Sequence, residues 1–123
     1  MSIEVGEHIA HQNELAFVHN LHRHNCRGII LSWARLGQSG TGHINNHAND
    51  YVINLFESLG YVLMGNLTKA LRHGSRYAVK GWHIFKMLRS TLLAFERVQP
   101  LRGQGCSASS EYTSRHEDLR WSL

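Results

Sequence analysis

Apolar residues along this chain fall alternately into short continuous runs and into helical spacings. Residues 3–9, IEVGEHI, open with a β-branched and acidic alternation that reads as a strand end, with the loop reached at Gly6. Over residues 11–24, Leu15, Phe17, Val18 and Leu21 recur at separations of three and four, which predicts an amphipathic helix. Asn25 and Gly28 supply its stop and turn. Residues 29–34, IILSWA, form a continuous apolar run suited to a strand covered on both faces. Gly37, Gly40 and Gly42 follow and exclude regular structure. Val52, Leu55, Phe56 and Leu59 then share one face of the best-defined helix. Asn49 is placed to cap it, Asp50 favours its positive terminus, and Gly60 is placed to end it.

Residues 61–64 predict another strand and residues 67–72 a helical turn or two. The stretch 76–89 is ambiguous, because Gly81 opposes a helix while Trp82, Phe85 and Leu88 keep a three-residue spacing. Residues 91–98 read as a strand, and after Pro100 the Ser-, Gly- and Arg-rich remainder reads as a disordered tail over 99–123. Alternation of this kind predicts an α/β sheet domain over residues 1–98. Its first strand has no upstream neighbour to pair with, so the sheet is either open on that side or part of something wider.

Bulk composition changes this picture little. A chain of 123 residues holds one domain at most, and a hydrophobic fraction of 42% is ordinary for a packed core. A formal charge of +4 permits a polyanionic partner without demanding one. Cys26 and Cys106 fit no spaced framework, so two free thiols in a reducing compartment are expected. The first ten residues lack signal-peptide character and no run approaches membrane-spanning length, so the expectation is a soluble cytoplasmic protein without a membrane partner.

Candidate chemistry lies at strand ends. Glu4, Glu7 and His8 close the first strand, where α/β sheets place their ligands, with Glu7 or His8 a candidate base. A solvated loop acid and a helix-start histidine are the bland alternative. Gln38, His43, Asn45 and Asn46 follow the second strand on the same edge and suit recognition of a small polar acceptor, although Asn and Gly also simply make turns. Trp33 offers a stacking face or core packing. The ten histidines invite a zinc reading at His19, His22, His24 and Cys26, but the spacing matches no tetrahedral pattern, and no metal is expected. Cationic helix-end residues His22, Arg23 and His24 instead suit the negative terminus of the first helix. The basic stretch over 69–89, interleaved with Tyr77, Trp82 and Phe85, is compatible with nucleic acid, yet its charges are not bunched and a solvated covering face is favoured.

Two blocks carry a family resemblance. SIEVGEHI at 2–9 resembles the S-x-E-V-x-E-H stretch closing the fourth strand of many class I S-adenosylmethionine-dependent methyltransferases. GIILSWARLGQSGTGHINNHANDYVINLFESLGY at 28–61 is similar to a methyltransferase-like pattern of LSWA, GQ-x-G-x-GH, a Tyr-Val-Ile helix and a terminal Gly-Tyr, and the likeness runs on through LTKALR and STLLAFER. The resemblance implies a partial Rossmann-like methyltransferase sheet, strands four to seven, with the last strand antiparallel and inserted between its two predecessors. It implies S-adenosylmethionine as cofactor near Glu4 and Glu7, catalysis involving Glu7 and His8, and an acceptor near Trp33, Gln38, His43, Asn45 and Asn46. The glycine-rich turn and the ribose-binding acid of the family have no counterpart in this sequence; GQSGTG at 37–42 follows a later strand. An inactive or incomplete enzyme is therefore expected, with a non-catalytic protein that pairs through an exposed strand edge as the alternative.

Overall fold

The computed structural model describes residues 1–75 and 83–98. They form a mixed α/β unit around a small open sheet. The elements are α1 (Glu14–Arg23), β1 (Gly28–Leu31), α2 (Asn49–Ser58), β2 (Tyr61–Leu63), α3 (Gly65–Gly74), α4 (His83–Thr91) and β3 (Leu93–Arg97), with short 3-10 turns at Gly6–His8 and His11–Asn13. The sheet order is β1-β3-β2, and both neighbouring pairs are antiparallel. β3 thus lies between its two predecessors, pairing Leu93 with Leu31 and Phe95 with both Ile29 and Leu63.

The first segment differs from its expected form. Ser2 makes a single parallel bridge to Leu31, its N–H donating to Ile30 O at 3.0 Å while Ser32 N–H donates to Ser2 O at 2.9 Å. Pairing goes no further because Glu4 adopts φ 51°, a left-handed backbone that breaks an extended run, and residues 6–8 close into a 3-10 turn. β1 also ends earlier than the apolar run suggested. Beyond Leu31, β3 has no residue to offer, and Ser32, Trp33 and Ala34 leave the ladder while staying buried.

Burial follows the two periodicities. One sheet face presents Ile29, Leu31, Tyr61, Leu93 and Phe95, and the apolar stripes of α1 (Val18) and α2 (Val52, Phe56) close over it. Phe56 is fully buried, stacked on Phe95 with ring centroids 5.2 Å apart. α2 ends as its sequence predicts, with Gly60 at φ 84° accepting a conformation that suits a residue without a Cβ. Its start is different: Ala48 is the cap, and Asn49 Nδ2 donates to Ser90 O at 2.8 Å, tying α2 to α4.

At the far end of the sheet Arg97, 7% exposed, donates through Nη1 to the carbonyls of His22 (2.9 Å) and Asn25 (2.8 Å), satisfying the C-terminus of α1. His24 Nδ1 adds a bond to Asn20 O at 2.8 Å, while half-burial and the charge of Arg97 hold the His22 imidazole below its ordinary range, against the cationic helix-end role expected of it. His22 and His24 are thus committed to protein partners. Cys26 is disulfide-bonded and is not the free thiol expected of it. The residues expected to form a disordered tail, and Arg76, Tyr77, Lys80 and Trp82 of the basic stretch, lie outside the described residues. No helix among the described residues is long and apolar enough to cross a membrane.

Candidate functional site

Ser2 and β1 run parallel, so the segments that follow them, residues 4–8 and 32–48, leave the sheet at the same end. Two kinds of contact lock these segments together. The carbonyl of Glu7 accepts the N–H groups of Ile44 (2.9 Å) and Asn45 (3.0 Å), which carries the glycine loop back onto the Glu7 turn. Glu4 N–H donates to Ser32 Oγ at 2.8 Å, tying the same turn to the end of β1. Gly6 makes the approach feasible, because a Cβ there would lie 2.3 Å from Cδ2 of Trp33.

The result brings Glu7, His8 and His43 together, with a potential ligand atom from each within 4.8 Å of the others. Glu7 is fully buried, and neither carboxylate oxygen meets a protein donor in hydrogen-bond geometry. Burial pushes its carboxyl above the ordinary carboxylate range; the neighbouring charge of Glu4 adds to the rise, and the backbone N–H groups of Glu7 and Ala34 oppose it. His8 is exposed, and its Nδ1 bonds to Gly42 O at 3.0 Å. Its ring meets that of His43 edge-on, with centroids 5.0 Å apart. Nδ1 of His43 is buried and without a partner. The ring packs so tightly over Gly40 that a Cβ there would lie 2.2 Å from its Nε2.

The other sequence candidates divide into neighbours of this site and scaffolding. Glu4 accepts from Gln38 Nε2 at 3.3 Å and from Thr91 Oγ1 at 3.4 Å, so Gln38 sits beside the cluster. Asn46 Nδ2 braces the loop through Arg35 O and Gln38 O. Trp33, a candidate stacking surface, is 2% exposed and belongs to the core; its Nε1 donates to Asn45 O at 2.6 Å. Asn45 is likewise buried and spends its amide on Glu14. Neither side chain presents a free face to an acceptor.

A second polar cluster was not foreseen. Glu14, buried at the start of α1, accepts from Asn45 Nδ2 and His47 Nε2, each at 2.7 Å, and from the hydroxyl of Tyr51. Burial alone would raise its carboxyl, but the hydrogen bonds from Tyr51, Asn45 and His47 outweigh it and leave the group below its ordinary range. The same bond pushes the Tyr51 hydroxyl up to about 12. His47 stacks on Tyr51 at 4.0 Å, and His11 completes a set of three potential ligands. Nothing local marks Glu14, since an acidic residue at a helix start is ordinary. Its partners lie 31 to 37 residues away.

In the basic stretch, Arg72 donates through Nε to Leu92 O at 2.8 Å and so joins α3 to the start of β3. No family model, no curated protein and no solved structure matches this chain.

Proposed function

We propose that this chain forms the acceptor-side half of a class I S-adenosylmethionine-dependent methyltransferase sheet, with the transfer site at the edge built by Glu4–His8 and the 38–46 loop. The observation that carries the reading is the strand arrangement. Ser2 lies parallel beside β1, and β3 is inserted antiparallel between β1 and β2. That is the order the sequence resemblance implies for strands four to seven. A further support is that Glu4, Glu7, His8, Gln38 and His43, named from sequence for this chemistry, converge on one sheet edge.

The residues present do not complete a cofactor pocket. Glu7 is fully buried and turned away from solvent, and the chain has no glycine-rich turn after a first strand. Its own residues therefore serve to position an acceptor, not to bind the methyl donor alone. In an NMR titration with S-adenosylhomocysteine, amide shifts should be confined to residues 2–9 and 32–34 and saturate only in the millimolar range. Shifts centred elsewhere would count against the assignment. Micromolar affinity would show that the pocket is complete.

The edge strands favour a second reading. β2 pairs with β3 alone among the described strands, and Val62 on it is exposed, leaving a template for a partner chain. Sedimentation equilibrium of the pure protein tests this: a concentration-independent monomer would exclude self-pairing through that edge.

A further inference from the structure

We propose that Glu7, His8 and His43 bind one divalent transition-metal ion. Two independent observations meet there. The three side chains offer ligand atoms within 4.8 Å of one another, from the turn at Gly6–His8 and from the glycine loop. The same place holds polar atoms left without partners: both oxygens of the fully buried Glu7 carboxylate and Nδ1 of His43. A buried carboxylate whose oxygens meet no donor in hydrogen-bond geometry is unfavourable in its charged form, and a cation is the partner that two imidazoles beside it would recruit.

The surroundings are built to hold such a site. His8 directs Nδ1 at Gly42 O, which fixes the ring and leaves Nε2 with its lone pair free, the arrangement that metal-bound histidines use. The Glu7 carbonyl clamps Ile44 and Asn45 N–H, so the His43 loop cannot drift away. Gly42, at φ 75°, and Gly40, under the His43 ring, give the loop a course that residues with a Cβ would obstruct.

Donor chemistry selects the ion. Two imidazole nitrogens and one carboxylate favour the Zn²⁺, Fe²⁺, Co²⁺ and Mn²⁺ class over Mg²⁺ or Ca²⁺, which prefer all-oxygen shells. Three protein ligands leave open coordination positions. Water or an acceptor oxygen would fill them. The set His11, Glu14 and His47 lacks the same demand, since Glu14 already has three donors and the His11 side chain is 79% exposed.

The inference deepens the proposed function, but only the role of the open positions rests on that reading. Cation binding is measured without methyl donor or acceptor, so its failure is distinct from a failed S-adenosylhomocysteine titration. Calorimetry of the full chain with ZnCl2, and separately with MgCl2, should show one zinc site and much weaker magnesium binding. Glu7→Gln should abolish the zinc site. His8→Ala and His43→Ala should each weaken it by about tenfold or more, and His11→Ala should leave it unchanged. His8 is exposed, so its variant reports on binding even if Glu7→Gln does not fold. No zinc binding by the wild type, an unchanged site in His8→Ala, or loss of the site in His11→Ala would each overturn the proposal.

Discussion

Replacing Glu14 by Gln tests how far the structure depends on its second polar cluster. In the wild type the carboxylate satisfies Asn45, His47 and Tyr51 together. Asn45 and His47 share Oε2 while Tyr51 takes Oε1, so a glutamine, with its single acceptor oxygen, turns an NH2 group on at least one of the three and leaves the rest on an uncharged acceptor. Bonds to a charged group contribute about 1.5–3 kcal/mol each, and a stranded buried donor costs about 1–3 kcal/mol. Asn45 is buried and feels the loss of charge on its acceptor in full, whereas Tyr51 is 40% exposed and water replaces part of its bond. The expected loss is about 2–4 kcal/mol, a large share of the ~5–15 kcal/mol that a small domain possesses. Urea unfolding followed by circular dichroism measures it, with Tyr51→Phe as the milder comparison at about 1 kcal/mol.

The pH profile gives a second reading of the same prediction. Glu14 is lowered from 4.5 in the folded chain, so its contribution is present above that value and fades as pH falls through the folded pKa. Glu7 is raised from 4.5 and acts in the opposite sense, favouring the fold at low pH and losing that advantage as pH rises through its folded pKa. The Glu14→Gln protein should therefore lose the acid-side fall that Glu14 causes and retain the opposing slope from Glu7. A stability within about 0.5 kcal/mol of wild type, the usual range of surface changes, would show that these bonds do not hold the loop.

Two further outcomes follow from close packing and from one hydrogen bond. Gly6→Ala should destabilise by about 1–3 kcal/mol, because its Cβ would meet the buried Trp33 ring at 2.3 Å; an unchanged thermal midpoint would refute that contact. Thr68→Val should cost about 1–3 kcal/mol in urea by stranding the Ala94 N–H, which donates to Thr68 Oγ1 at 3.0 Å where both residues are buried, while Thr68→Ser should recover most of the loss.

Local features were legible in the chain. The stripes of Val18 and of Val52 and Phe56 face the core in the helices their spacing predicted. Tyr61–Leu63 and Leu93–Arg97 are strands where short apolar runs stood, and Gly60 ends α2 through its own backbone freedom. The glycines at 37, 40 and 42 marked an irregular loop, and residues 35–48 contain no helix or strand. Of the candidate residues, Glu4, Glu7, His8, Gln38 and His43 meet at one edge, because ends of parallel segments share an end of the sheet.

Periodicity speaks for which side of an element is apolar, since neighbours three or four residues apart on a helix, or two apart on a strand, are set by backbone geometry alone. It does not speak for what a polar side chain meets after the chain returns. Trp33 and Asn45 carried the same polar and aromatic credentials as the true edge residues, but Trp33 packs against Gly6, Phe17 and His47 and Asn45 bonds to Glu14, so both are buried. Glu14 looked like an ordinary helix-start acid until residues 31 to 37 positions later closed around it. Elements are written in local spacing; the orphaned Glu7 carboxylate and its two histidines come from contacts between segments far apart in the chain, so their meeting belongs to the tertiary structure.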